Sequence, residues 1–327
     1  MRQCSYLVLA CALFRGPCPA NGAVTFQEDF AANPATRSWR AFGDGSLFRW
    51  NNTDQNLEVT WDSSRPNSYF AWPLQTVLSR SDDFSFDFDL RLNYIGVGTT
   101  PGKPFTFQLA IGFINLAEAT ATNFLRGTGT DSPDLVEFDY FPDSGFGATV
   151  SPTMISSNVQ FASSFNFPLE LTTNDSFHVM MSYTASNQTL LTALTRNGAV
   201  FGPIQDVTLD SNFTDFRADH FALSSYSDAG QDPQFAGSIL AHGVVDNIVL
   251  RVPDPAVHDL AGAIASGAWQ IEFMAQTNWL YALQRTENFQ AWTTVSPVTA
   301  GVNQRLTLAD TNGMAANAFY RVRAQRP

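Results

Sequence analysis

Between Asp134 and Gly145 the sequence Asp-Leu-Val-Glu-Phe-Asp-Tyr-Phe-Pro-Asp-Ser-Gly sets acids into an apolar run with the character of a strand. In a strand, Glu137, Asp139 and Phe141 share one face while Val136, Phe138 and Tyr140 share the other. Two carboxylates side by side repel unless a cation, a shared proton or a hydroxylated ligand compensates them. Glu137 and Asp139 are therefore the candidate ligand-binding pair, and the candidate catalytic pair should the protein be an enzyme. The plain alternative is a solvent-facing polar strand face, which alternation alone would produce. Val136, Phe138 and Tyr140 supply the face to be buried, so the acids are expected on the opposite, concave face. A one-residue slip would drive both between the sheets, at a cost of about several kcal/mol for unpaired charge. Acids that instead bond to an Arg or to backbone amides would be structural.

Other chemistry has less support. His178, His220, His242 and His258 stand in no metal-binding spacing with one another or with a cysteine. Gly-x-Ser-x-Gly, P-loop, dinucleotide and zinc patterns are absent, so acyl transfer and nucleotide chemistry have no support. Formal net charge is −12, with a single lysine, Lys103, so the basic patch that nucleic acid requires is missing. An acidic surface suits cations or neutral sugars.

The elements that must position these residues are strands. The chain holds 28 Phe, 7 Trp and 8 Tyr with only 15% charged residues, and its segments alternate Phe with Ser, Asp or Thr. The clearest is Phe84–Ile95, with Phe84, Phe86, Phe88, Leu90 and Leu92 on one face. Phe177–Thr184 and Leu190–Thr195 read as a hairpin. Many short strands with turn signals between them predict an all-β, two-sheet jelly-roll sandwich, followed by a small second β-sandwich.

Four segments follow. Residues 1–23 read as a secretory signal peptide: Met1-Arg2, an apolar run Tyr6–Phe14, then small residues, with all three cysteines inside it. Its removal leaves 16 basic against 30 acidic side chains, a net charge of −14. Residues 24–252 are the larger sandwich, 253–267 a Pro- and Ala-rich linker, and 268–327 the small module. No other segment is long and apolar enough to span a bilayer. The expected location is extracellular or periplasmic, secreted or at the cell surface.

With the strands laid out, residues 24–252 resemble a concanavalin A-like lectin/glucanase domain, the jelly roll of legume-type (L-type) lectins and laminin G-like modules. Phe26–Phe30, Leu135–Phe141, Phe177–Gly198 and Val245-Asp-Asn-Ile-Val249 carry the likeness. In legume-type lectins a Glu-Phe-Asp strand precedes an aromatic residue and an Asn, a spacing matched by Glu137, Asp139, Phe141 and Asp143, with Asp in place of Asn, so the resemblance implies these four as the ligand-binding residues. The family's next metal-binding acid and its His fall on Ala148 and Thr153. Laminarinase-type hydrolases place a second Glu where this chain has Phe141 or Pro142. The resemblance implies an exported, lectin-like protein that binds a polysaccharide or other glycan. The alternatives are a glycoside hydrolase or polysaccharide lyase using Glu137 and Asp139, and a non-catalytic surface or adhesion protein. It also implies a structural calcium where first and last strands meet, with Glu28 or Asp29 together with Asp246 as the oxygen ligands. Trp39, Trp50, Trp61, Trp72, Tyr69 and Tyr94 could stack sugar rings. The small module, through Tyr281-Ala-Leu-Gln-Arg285, Trp292 and Phe319-Tyr-Arg-Val322, resembles the C-terminal β-sandwich modules of exported bacterial proteins, which implies cell-surface attachment.

Overall fold

The computed structural model describes residues 23–126, 132–232, 236–310, 312 and 318–327. The expected signal peptide lies outside them apart from Ala23, which opens the first strand.

Phe84–Val97 shows how alternation builds the molecule. Phe84, Phe86, Phe88, Leu90 and Leu92 are buried while the residues between them reach solvent in part. This strand lies at the centre of a nine-stranded antiparallel sheet, between Phe177–Thr184 and Ile239–Pro253. The opening strand, Ala23–Glu28, pairs with the same Ile239–Pro253, Val24 opposite Val252, so the two ends of the domain close on each other.

The second sheet has seven strands, in the order Phe161–Ser163, Thr149–Ile155, Leu135–Phe141, Leu109–Ile114, Ala218–Ser225, Ser68–Leu78 and Arg40–Phe42. Its inward face packs on the first through aromatic rings. Phe113 and Phe221 meet Phe86 at 5.1 and 5.5 Å between centroids, and Phe138 meets Phe88 at 5.8 Å, all edge-on. Rings so placed add roughly 0.5–1.5 kcal/mol each beyond the area they bury. The architecture is the all-β two-sheet sandwich that the alternation predicts.

The linker expectation needs correction. Val257–Ala265 is a strand, hydrogen-bonded to Ala268–Ala275, and only Asp254–Ala256 connect the two domains. Small residues read as a linker because they bring no apolar alternation, but pairing engages the backbone and does not need large side chains. The module therefore begins near Val257. Its two sheets are Val257–Ala265, Ala268–Ala275 and Arg305–Ala309 on one side, and Leu280–Thr286 with Phe319–Gln325 and two short strands on the other. Ile271, Phe273, Trp279, Tyr281 and Leu283 form its core.

The C-terminus fastens the module to the larger sandwich. Arg326 donates to the Val77 carbonyl at 3.1 Å and to Asp82 at 2.6 Å, and its guanidinium lies 4.5 Å from the Trp279 ring centre. The module core also packs on Val77.

Candidate functional site

Leu135–Phe141 pairs with Leu109–Ile114 on one side and Thr149–Ile155 on the other. Because Phe138 points at the nine-stranded sheet, Glu137 and Asp139 occupy the opposite, outward face. They are not open there. Glu137 is 0% and Asp139 1% exposed.

The cover is the segment that follows Leu109–Ile114. A short helical turn, Leu116–Ala119, is capped by the Asn115 side chain, and the chain then crosses the outward face to Arg126. It is pinned along its length. The Leu116 amide donates to Asp219 at 3.0 Å, Tyr69 donates to the Ala119 carbonyl at 2.8 Å, and Asn67 donates to the Phe124 carbonyl at 3.2 Å. Phe124 and Tyr226 stack at 6.0 Å, with Tyr69 edge-on to both.

Arg126 is the compensating cation. Its Nε lies 3.3 Å from Glu137 Oε2 and its Nη2 2.7 Å from Asp139 Oδ2, and its own side chain is 3% exposed. The Tyr226 hydroxyl donates to Glu137 Oε1. Burial, reinforced by the neighbouring Asp139 charge, pushes the Glu137 carboxyl up to about 7, against the pull of Arg126 and Tyr226. Tyr69 and Tyr226 are held neutral, chiefly by burial and then by the Glu137 charge.

Beside the acids the face is small and polar. Ala110 and Gly112 lie opposite Asp139 and Glu137, while Ser151 and Thr153 flank them on the other side and Ser151 bonds to Ser163 at 2.6 Å. Among the described residues, Gln108 and Ser224, both buried, have side-chain atoms without a hydrogen-bond partner. The structure thus joins Glu137 and Asp139 to Arg126 and Tyr226, neither of which spacing singled out. Arg126 is a lone base in a Gly/Thr loop, and only the chain crossing brings it to the acids.

The remaining predicted residues are elsewhere in role. Phe141 is half-buried at the end of the strand, and Asp143 shapes the turn by accepting from the Gly145 amide at 3.0 Å. Glu28 does not fit a calcium ligand: Oε1 accepts from Arg37 at 3.0 Å and the Phe30 amide at 2.9 Å, and Oε2 from the Trp39 indole at 2.9 Å. Asp29 accepts from the Ala31 amide and Asp246 from the Asn247 amide. Among the described residues no group of three or more His, Cys, Asp or Glu is placed to hold a metal ion.

Of the candidate stacking rings, Trp39, Trp61, Trp72 and Tyr69 are buried, Trp50 is half-buried, and Tyr94 is exposed. Four further open aromatics are phenylalanines at the edge of the seven-stranded sheet. Phe146 is 75% exposed and 5.8 Å from Phe167, while Phe161 lies 6.2 Å from Phe165, nearly parallel. Between Phe165 and Phe167, Asn166 turns inward. Its Nδ2 donates to the Val150 carbonyl at 3.1 Å and its Oδ1 accepts from the Gln205 amide at 2.7 Å, which throws both neighbouring rings outward.

The two packed sheets define the class, an all-β antiparallel two-sheet sandwich. Solved structures similar to the chain include peanut lectin, at 15% identity over 71% of this chain and 99% of that one, with a TM-score of 0.43. Winged bean acidic lectin is similar at 12% identity over 71% and 100%, TM-score 0.41, and the alginate lyase Aly36B at 12% over 69% and 96%, TM-score 0.36. The sequence matches no protein-family profile and no curated relative.

Proposed function

We propose that the larger sandwich is a lectin-like module that binds a neutral glycan on the phenylalanine rim of its seven-stranded sheet. One observation carries this reading: four phenylalanine rings, paired and 44–75% exposed, on the surface of a strongly acidic chain. Pyranose C–H faces pack on aromatic rings, and apolar rings grouped in this way are a binding feature rather than ordinary surface. The acidic surface repels polyanionic sugars and leaves neutral ones. Hydrolysis or elimination through Glu137 and Asp139 would need a cleft that admits substrate, whereas both carboxylates are sealed and salt-bridged to Arg126. Export belongs to the same reading, through the apolar start of the chain, and surface attachment through the small module.

A glycan array probed with wild type, Phe146→Ser/Phe167→Ser and Glu137→Gln tests it. Binding of neutral glycans is expected for wild type and Glu137→Gln, with at least about tenfold weaker binding for the double variant. Sugar release or unsaturated-uronide formation that Glu137→Gln abolishes would establish the enzymatic reading instead. Sequencing the exported protein, with a first residue near Val24, checks processing.

A further inference from the structure

Among the described residues, the strand Val257–Ala265 is an unprotected sheet edge. It pairs only with Ala268–Ala275 among the described residues, and every residue from Asp259 to Ala265 is exposed. Edge strands are ordinarily guarded by charge, proline or a covering loop. The run Leu260-Ala-Gly-Ala-Ile264 has neither charge nor proline, and a bulge between His258 and Ala261 confines irregularity to its start. Among the described residues its inner face is largely open as well. Leu260 is 56% and Ile264 61% exposed, and beside them an open apolar cleft of about 360 Å³ is lined by Leu260, Gly262, Trp269, Ile271, Phe319 and Tyr320. A Cβ on Gly262 would stand 2.5 Å from the Trp269 ring, so glycine lets the indole lie against this strand.

We infer that this edge pairs with the same edge of a second copy, giving a weak two-fold dimer through the small modules. The run reads alike in both directions, large apolar, Ala, Gly, Ala, large apolar. An antiparallel pair centred on Gly262 sets Leu260 of each copy opposite Ile264 of the other, the self-complementarity that an isologous contact requires. Charge points to the same place. Residues 24–256 carry eleven basic against twenty-six acidic side chains, a net −15, whereas residues 257–327 carry five arginines against four acids, a net +1. Two copies meeting through their modules keep the acidic domains apart, while contact through the larger sandwiches brings them together. Joining the edges would extend each three-stranded sheet into one of six.

Sedimentation velocity of the full chain across micromolar to hundreds of micromolar concentrations tests this, using wild type, Ile264→Lys and Val200→Lys. Val200 is 92% exposed on another edge strand and controls for added charge. Wild type and Val200→Lys are expected to dimerise alike, and Ile264→Lys to dissociate at least about tenfold more readily. Ile264 is exposed, so its replacement leaves the fold intact, which an unchanged circular dichroism spectrum would verify. A wild type monomeric at every concentration would overturn the inference. So would an Ile264→Lys dimer as tight as wild type, or a Val200→Lys variant loosened to the same degree.

Discussion

Removing the Arg126 guanidinium would leave Glu137 and Asp139 facing each other where solvent does not reach. Breaking a buried pair from one side costs about 3–5 kcal/mol, because the charge left behind is uncompensated. Arg126→Met should therefore lower unfolding stability in urea by that order. Adding Glu137→Gln and Asp139→Asn should restore most of it, since the repulsion disappears with the charges. The raised Glu137 carboxyl sets a pH dependence of definite sign. Between its ordinary value of 4.5 and about 7, the folded state holds a proton that the unfolded state has released. Stability contributed by this group falls as pH rises through that window. The stability of wild type minus that of Glu137→Gln, followed by urea denaturation from pH 5 to 7.5, should decline with pH. A flat difference would mean that Glu137 titrates in its ordinary range.

The covering segment, the acidic strand and its neighbour act together at the next scale. Gly112 lies opposite Glu137, and a Cβ there would sit 2.2 Å from the Val136 carbonyl oxygen and 2.7 Å from the Glu137 Cα. Backbone cannot yield as the end of a flexible side chain can. Gly112→Ala should cost at least about 1–3 kcal/mol, the usual penalty of overpacking, and shift the thermal midpoint downward. Alternation made most of these strands legible, including Phe84–Val97, the hairpin from Phe177 and the acidic strand, because one buried face imposes a period of two. Val257–Ala265 carries no such pattern for the opposite reason: with Asp259–Ala265 exposed on both faces, nothing selects large apolar residues at alternate positions.

Across the whole molecule, Arg326 is the fastening between domains, with side-chain exposure of 6% against 11% for its partner Asp82. Arg326→Ala removes the ion pair, the bonds to the Val77 carbonyl and the contact with Trp279. A loss of about 3–5 kcal/mol is expected at this junction. Calorimetry should then resolve separate transitions for the two domains, and protease should cut faster at Asp254–Ala256. A single unshifted transition would show that the apolar contact with Val77 suffices. The sequence by itself determined the all-β class and the face on which Glu137 and Asp139 stand, because alternation and turn chemistry are local properties. Only the tertiary structure decided what those acids meet. Arg126 and Tyr226 are separated from Glu137 by 11 and 89 residues, and Glu28, an expected calcium ligand, accepts from Arg37, Trp39 and the Phe30 amide. A pattern can say that a charge must be compensated, but the compensating group is chosen by which loop crosses the sheet, and no local periodicity encodes that crossing.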